Sequence, residues 1–112
     1  MSRQIRKGPP LPLDREGEAI LTNKWLEHQL GRELRAAEAQ TFGRMVLDEW
    51  RHRHGLVMPY TMRVGEDSSQ RTVYLPDDMP ILFAALARYR KSKSYKRVQS
   101  EIKGERDEHH QP

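Results

Sequence analysis

The residues best suited to chemistry form one basic segment near the C-terminus, at positions 88–97. It contains six cations and no acid, with two tyrosines among them. Cations neutralise phosphates and release counterions from a nucleic acid, while tyrosine rings can stack on unpaired bases. The segment therefore predicts contact with DNA or RNA, and the alternatives are an acidic protein or lipid surface, or a solvated helix end without a ligand. The cations are Arg88, Arg90, Lys91, Lys93, Lys96 and Arg97.

The two tyrosines of the basic segment are expected to have different roles. Tyr89 continues an apolar series with Leu82 and Leu86 at helical spacing, so we expect it in the core. Tyr95 lies outside that series. It is therefore the tyrosine that we expect to contact a nucleic acid.

A second basic block, made of Arg3, Arg6 and Lys7, opens the chain. Basic arms of this kind lie along grooves in several DNA-binding modules, although short charged ends also occur without a function. The remainder of the chain has more acids than bases, while the whole chain has a net charge of +4. This asymmetry favours a polyanionic or acidic partner.

Other groups that could do chemistry are better explained by local structure. His52 and His54 diverge on a helix, so they suit the end of a helix better than a metal site. Asp77 and Asp78 suit a helix start, and no P-loop, dinucleotide or nucleophile motif occurs. Cysteine is absent, which excludes disulfides and thiolate zinc sites. We expect a protein without catalytic activity, metal or cofactor.

The length of 112 residues allows one domain. Prolines in residues 1–13 predict an extended, disordered arm, followed by a domain over residues 14–98 and a polar, partly disordered tail over residues 99–112. The longest apolar block, residues 81–87, is too short to cross a bilayer, and no signal peptide is recognisable. We expect a cytoplasmic protein.

The apolar spacing predicts a helix-dominated α+β fold in the order α-α-β-β-α, with one hairpin packed on the helices. The first helix starts near Asp14 and the second ends at Gly55, while Gly31 either separates them or lies within one long helix; a break is favoured. Alternation at residues 59–64 and 71–75 predicts a hairpin with a loop of about six residues. The last helix is expected to continue through the basic segment.

Three aromatic residues, Trp25, Phe42 and Trp50, form the candidate partner-binding face. Core positions explain them most simply, but a small domain can leave such a stripe exposed for a partner chain or a homodimer. The outer edge of the hairpin could also accept a strand. Our leading hypothesis is a small, non-enzymatic, nucleic-acid-associated accessory or regulatory protein. The rival is a protein-interaction module, such as an adaptor, assembly factor or inhibitor.

Overall fold

The computed structural model describes residues 8–109, and helices dominate this part of the chain. Four α-helices and one antiparallel hairpin confirm the predicted α+β fold. The helices are α1 (Thr22–Leu30), α2 (Ala36–His54), α3 (Met79–Arg90) and α4 (Lys93–His109), and the strands are β1 (Thr61–Val64) and β2 (Ser69–Thr72). Short 3-10 turns at Leu13–Glu18 and Pro76–Asp78 precede α1 and α3. None of the helices within residues 8–109 is long and apolar enough to cross a membrane.

Gly31 separates the first two helices, as the sequence favoured. It adopts a left-handed conformation with φ of 70° and donates its N–H to the Glu27 carbonyl at 2.8 Å. Glycine closes helices in this way because it has no Cβ to clash.

The predicted helix start near Asp14 is wrong for α1, which begins at Thr22. Only the short 3-10 turn at Leu13–Glu18 begins near Asp14. The reason is a tertiary contact of the backbone. Ile20 exchanges two backbone hydrogen bonds with Tyr74, at 2.8 and 3.0 Å, which holds residues 19–21 extended between the 3-10 turn and α1.

The hairpin is smaller than predicted, and the N-terminal segment extends it. Its loop spans four residues, 65–68, because Ser69 already pairs with Val64. On the opposite side of β1, Leu11 donates its N–H to the Thr61 carbonyl at 2.8 Å, and Leu11 is 5% exposed. The prediction of a disordered arm over residues 1–13 is therefore corrected for residues 8–13. Residues 1–7 lie outside the described part of the chain.

The main core lies between α2 and α3, with α1 packed on one side. It contains two of the three predicted partner-binding residues, because Phe42 is fully buried and Trp50 is 8% exposed. The Trp50 ring nitrogen donates to the Val57 carbonyl at 2.7 Å. Trp25 is half-buried and stacks on Phe42, with ring centroids 6.0 Å apart. These positions confirm the core placement that the sequence favoured, and they do not support the alternative of an exposed face for Phe42 and Trp50.

Helix α3, which was expected to be the last helix, does not continue through the basic segment as predicted. It ends at Arg90, and α4 begins at Lys93. Ser92 explains the break: its hydroxyl donates to the Tyr89 carbonyl at 2.6 Å and accepts from the Tyr95 N–H at 3.1 Å. Serine is a preferred N-cap because its oxygen satisfies a free amide of the first turn.

The predicted polar, partly disordered tail over residues 99–112 is helical as far as His109. Val98 of α4 is 3% exposed, and α4 contacts both α2 and α3. The basic helix therefore packs against the domain along one face and does not stand clear of it.

Candidate nucleic-acid interface

Five exposed cations gather where α3 gives way to α4. We call this set the cationic surface. Arg90 ends α3, Lys91 lies in the connecting turn, and the other three belong to the first turns of α4. The members are Arg90, Lys91, Lys93, Lys96 and Arg97.

Helical spacing explains how α4 serves the core and the surface at once. Val98 and Ile102, four residues apart, share the inward face with the half-buried Tyr95. Lys93 and Arg97 are also four residues apart and lie on the exposed face. The apolar stripe thus fixes the direction in which these cations point.

Arg88, the sixth cation predicted for the site, belongs to a different environment. Its guanidinium donates to a Glu49 carboxylate oxygen at 3.2 Å and lies 3.9 Å from an Asp48 oxygen. Both acids are on α2. Arg88 is therefore neutralised within the domain and lies outside the cationic surface.

The cationic surface has no such neutralisation from the described side chains. Among them, no ion pair within 4.0 Å involves any of its five members. Glu101, an acid on α4, is paired with Arg35. The surface consequently presents concentrated positive charge, which attracts polyanions.

A buried polar network lies beneath this region and holds it in place. Glu38 of α2 is fully buried, and the Arg32 guanidinium donates to both of its carboxylate oxygens at 2.9 Å. The Tyr89 hydroxyl donates to the same carboxylate at 2.5 Å, and the Arg35 N–H donates at 3.1 Å. Two helices and the α1–α2 loop therefore converge on one carboxylate.

The hydrogen bonds of this network decide the charge of Glu38. Burial by itself would raise the pKa of Glu38, but the bonds from Arg32, Tyr89 and the Arg35 amide outweigh it and lower the pKa to about 2. Burial and the carboxylate neighbour raise the pKa of Tyr89. Glu38 is thus ionised and Tyr89 is neutral at ordinary pH.

Arg32 also connects the network to α4. Its Nε donates to the Gln99 side-chain oxygen at 3.1 Å. Together with the Ser92 cap and the Arg35–Glu101 pair, this bond attaches α4 to the rest of the domain at three points. The cations of α4 are therefore displayed on a fixed scaffold.

Tyr95 lines an open groove on the flank of α4, which we call the α4 groove. It has a volume of about 550 Å³. Sequence reasoning found Tyr95 and Lys96 but missed the other lining residues; their helical spacing from Lys96 was the available signal. The full lining is Tyr95, Lys96, Gln99, Ser100, Ile102 and Lys103.

Three cations predicted for the site are not among the described residues. Arg3, Arg6 and Lys7 lie outside the described residues, so their predicted contact with nucleic acid stays a prediction.

The sequence patterns did not indicate Phe83, which is 51% exposed and packs edge-on against Trp25, with ring centroids 5.2 Å apart. Among the described side chains, those of residues 8–104, no group of three or more His, Asp or Glu could hold a metal ion.

Comparison with known proteins adds no family to this geometry. No family model, no curated protein and no solved structure matches the chain. The cationic surface and the α4 groove are therefore the features from which a function can be inferred.

Proposed function

We propose that this protein is a nucleic-acid-associated accessory or regulatory protein without catalytic activity of its own. It contacts phosphates through the cationic surface. One observation carries the proposal: five exposed cations lie together, and no described carboxylate pairs with them. Arg88, next to them in the chain, shows how such a cation is neutralised when an acid is in reach.

The energetic basis is counterion release. Each phosphate that a cation neutralises frees condensed counterions, so binding weakens as salt rises. Five contacts predict a slope of log K against log salt of about −4 to −5 on duplex DNA. Because phosphates are common to all sequences, the surface supports affinity without strong sequence preference.

Fluorescence anisotropy across a series of salt concentrations tests the proposal, with labelled DNA and RNA in single- and double-stranded form. The site variant replaces Lys91, Lys93, Lys96 and Arg97 with Gln. The matched control replaces four exposed arginines elsewhere, Arg44, Arg51, Arg53 and Arg71, with Gln. Both variants lower the net charge equally, so they separate a local surface from overall charge.

We expect the site variant to lose binding and most of the salt slope, while the control keeps both. Equal losses in the two variants would contradict a defined surface. Full binding by the site variant would contradict the proposal itself.

The edge of β2 supports a second candidate function, the binding of an extended protein segment. Val73 donates its N–H to the Tyr60 carbonyl at 2.9 Å, so Gln70 and Thr72 direct their backbone groups away from β1. A groove of about 360 Å³ runs beside Thr72, between β2 and α2. Thr72→Pro removes an outward N–H, and it should abolish capture of a partner strand while leaving nucleic-acid binding unchanged.

A further inference from the structure

We infer that the nucleic acid bound by this protein is single-stranded, and that one unpaired base occupies the α4 groove. This inference rests on the proposed function and specifies its ligand. It follows from the combination of an aromatic ring, an oriented amide and two flanking cations in one concavity.

The α4 groove has the composition of a nucleotide site. Its volume of about 550 Å³ is within the range of small-molecule pockets. Tyr95 and Ile102 supply its apolar surface, and Gln99 and Ser100 supply neutral donors. A base has an apolar face and a polar edge, so it matches this division.

Arg32 fixes the orientation of the Gln99 amide. A guanidinium can only donate hydrogen bonds, so the atom of Gln99 that it contacts must be the oxygen. The Gln99 NH₂ group is therefore left for another acceptor, and the side chain is exposed. Base carbonyls are acceptors of this kind, and they are accessible on all edges only when the base is unpaired.

Tyr95 is held in place by the buried network. Its ring packs edge-on against Tyr89, with centroids 5.5 Å apart, and Tyr89 is fixed by its bond to Glu38. Tyr95 remains half-buried and lines the groove with its remaining surface. A ring that is already immobilised loses little entropy when a base packs on it.

Lys96 and Lys103 flank the groove and account for the phosphates on either side of the base. They lie seven residues apart, which is about 10 Å along a helix. Lys93 and Arg97 continue the positive charge toward the start of α4. In a duplex the base faces are stacked and the pairing edges occupied, so a duplex could use the cations but not the groove.

The test compares a labelled oligothymidylate of about 16 nucleotides with its duplex on oligodeoxyadenylate. We expect the wild-type protein to bind the single strand about tenfold more tightly than the duplex, because stacking of one base on an aromatic ring contributes about this factor. Tyr95→Leu should remove this preference, whereas Tyr95→Phe keeps the ring and should retain it. Gln99→Leu should weaken single-strand binding several-fold, and Gln40→Leu, which alters a different groove, serves as the control.

The outcomes separate this inference from the proposed function. Equal, salt-dependent binding of both ligands by the wild type would overturn the inference and leave the proposed function standing. No binding of either ligand would refute both. If Tyr95→Leu unfolds, the other two variants still test the base site. Loss of single-strand binding by Tyr95→Phe would contradict it, and so would full single-strand binding by Gln99→Leu.

Discussion

Two clusters of charged residues lie close together in this protein, and they differ in whether the fold supplies partners for them. In the buried network, the Arg32 guanidinium meets the Glu38 carboxylate in a two-bond pair, and Tyr89 completes the set. In the cationic surface, Arg90 and its four companions are exposed, with no described acid in reach. The first cluster is satisfied by the fold itself. The second has no such partner among the described side chains, so it presents concentrated positive charge.

Residue type alone does not distinguish an arginine that is paired within the fold from one that is exposed without an acidic partner. Arg32, Arg88 and Arg90 have the same side chain but different surroundings. Arg32 is part-buried and paired, and Arg88 is exposed and paired. Arg90 is exposed without a described acidic partner. A paired cation stabilises or is neutral, while a group of unpaired cations repels itself and so favours an anionic ligand. Variants that remove single members of the two clusters test this contrast.

Removal of the carboxylate at the centre of the buried network should have the largest effect. Glu38→Ala leaves Arg32 and the Tyr89 hydroxyl without their partner in the interior. We expect a loss of about 3–5 kcal/mol in the free energy of unfolding, measured by urea denaturation. Glu33→Ala, which removes an exposed acid on the α1–α2 loop, should change the free energy of unfolding by less than about 0.5 kcal/mol. Similar losses in both variants would remove the contrast between buried and surface charge.

Acidic pH should reduce the stability that the same network contributes, because folding lowers the pKa of Glu38. The pKa of Glu38 falls from 4.5 to about 2 on folding, so its contribution is complete above 4.5 and is lost as pH falls toward 2. The difference in unfolding free energy between wild type and Glu38→Gln should therefore shrink by about 3 kcal/mol over this interval. Urea midpoints measured across the acid range give this difference. A difference that does not vary with pH would show that Glu38 contributes no charge to stability.

The cap between α3 and α4 should matter less than the network. Ser92→Ala removes the acceptor for the Tyr95 N–H, which lies 3.1 Å from the hydroxyl, and should cost about 1 kcal/mol. Ser100→Ala, on the exposed face of α4, should instead be neutral or slightly stabilising because alanine favours helix. Thermal unfolding of the two variants distinguishes them. An unchanged midpoint for Ser92→Ala would mean that the break does not depend on this cap.

The smallest effects, but the most direct contrast, come from neighbouring arginines. Arg88→Gln breaks an exposed ion pair and should cost no more than about 1 kcal/mol of stability, with nucleic-acid affinity nearly unchanged. Arg90→Gln should leave stability unchanged within about 0.5 kcal/mol and reduce the salt slope by about one. Urea denaturation and anisotropy measure the two quantities. A reversed pattern would exclude Arg90 from the interface.

Much of the fold could be predicted from local signals. The break at Gly31 and the end of α2 at Gly55 followed from glycine at positive φ, which is a property of the residue itself. The hairpin followed from alternation, and the cations of the site followed from their density in the chain. Each of these signals extends over a few residues and depends on no distant partner.

The errors share a different cause, because each depends on a contact across the chain. Leu11 was placed in an arm, but β1 and the hairpin core bind it. Arg88 was grouped with its neighbours, although two acids on α2 neutralise it.

The helix-dominated class, the hairpin and the concentration of positive charge near the C-terminus could be predicted from the chain alone, because composition and spacing are local properties. Only the tertiary structure decided which cations remain available for a ligand, which aromatic rings are buried and how Gln99 is oriented. The physical reason is that burial and charge neutralisation are pairwise. A side chain is paired or free according to what the fold brings within a few ångströms, and residues such as Arg32 and Gln99 meet across 67 positions of the chain.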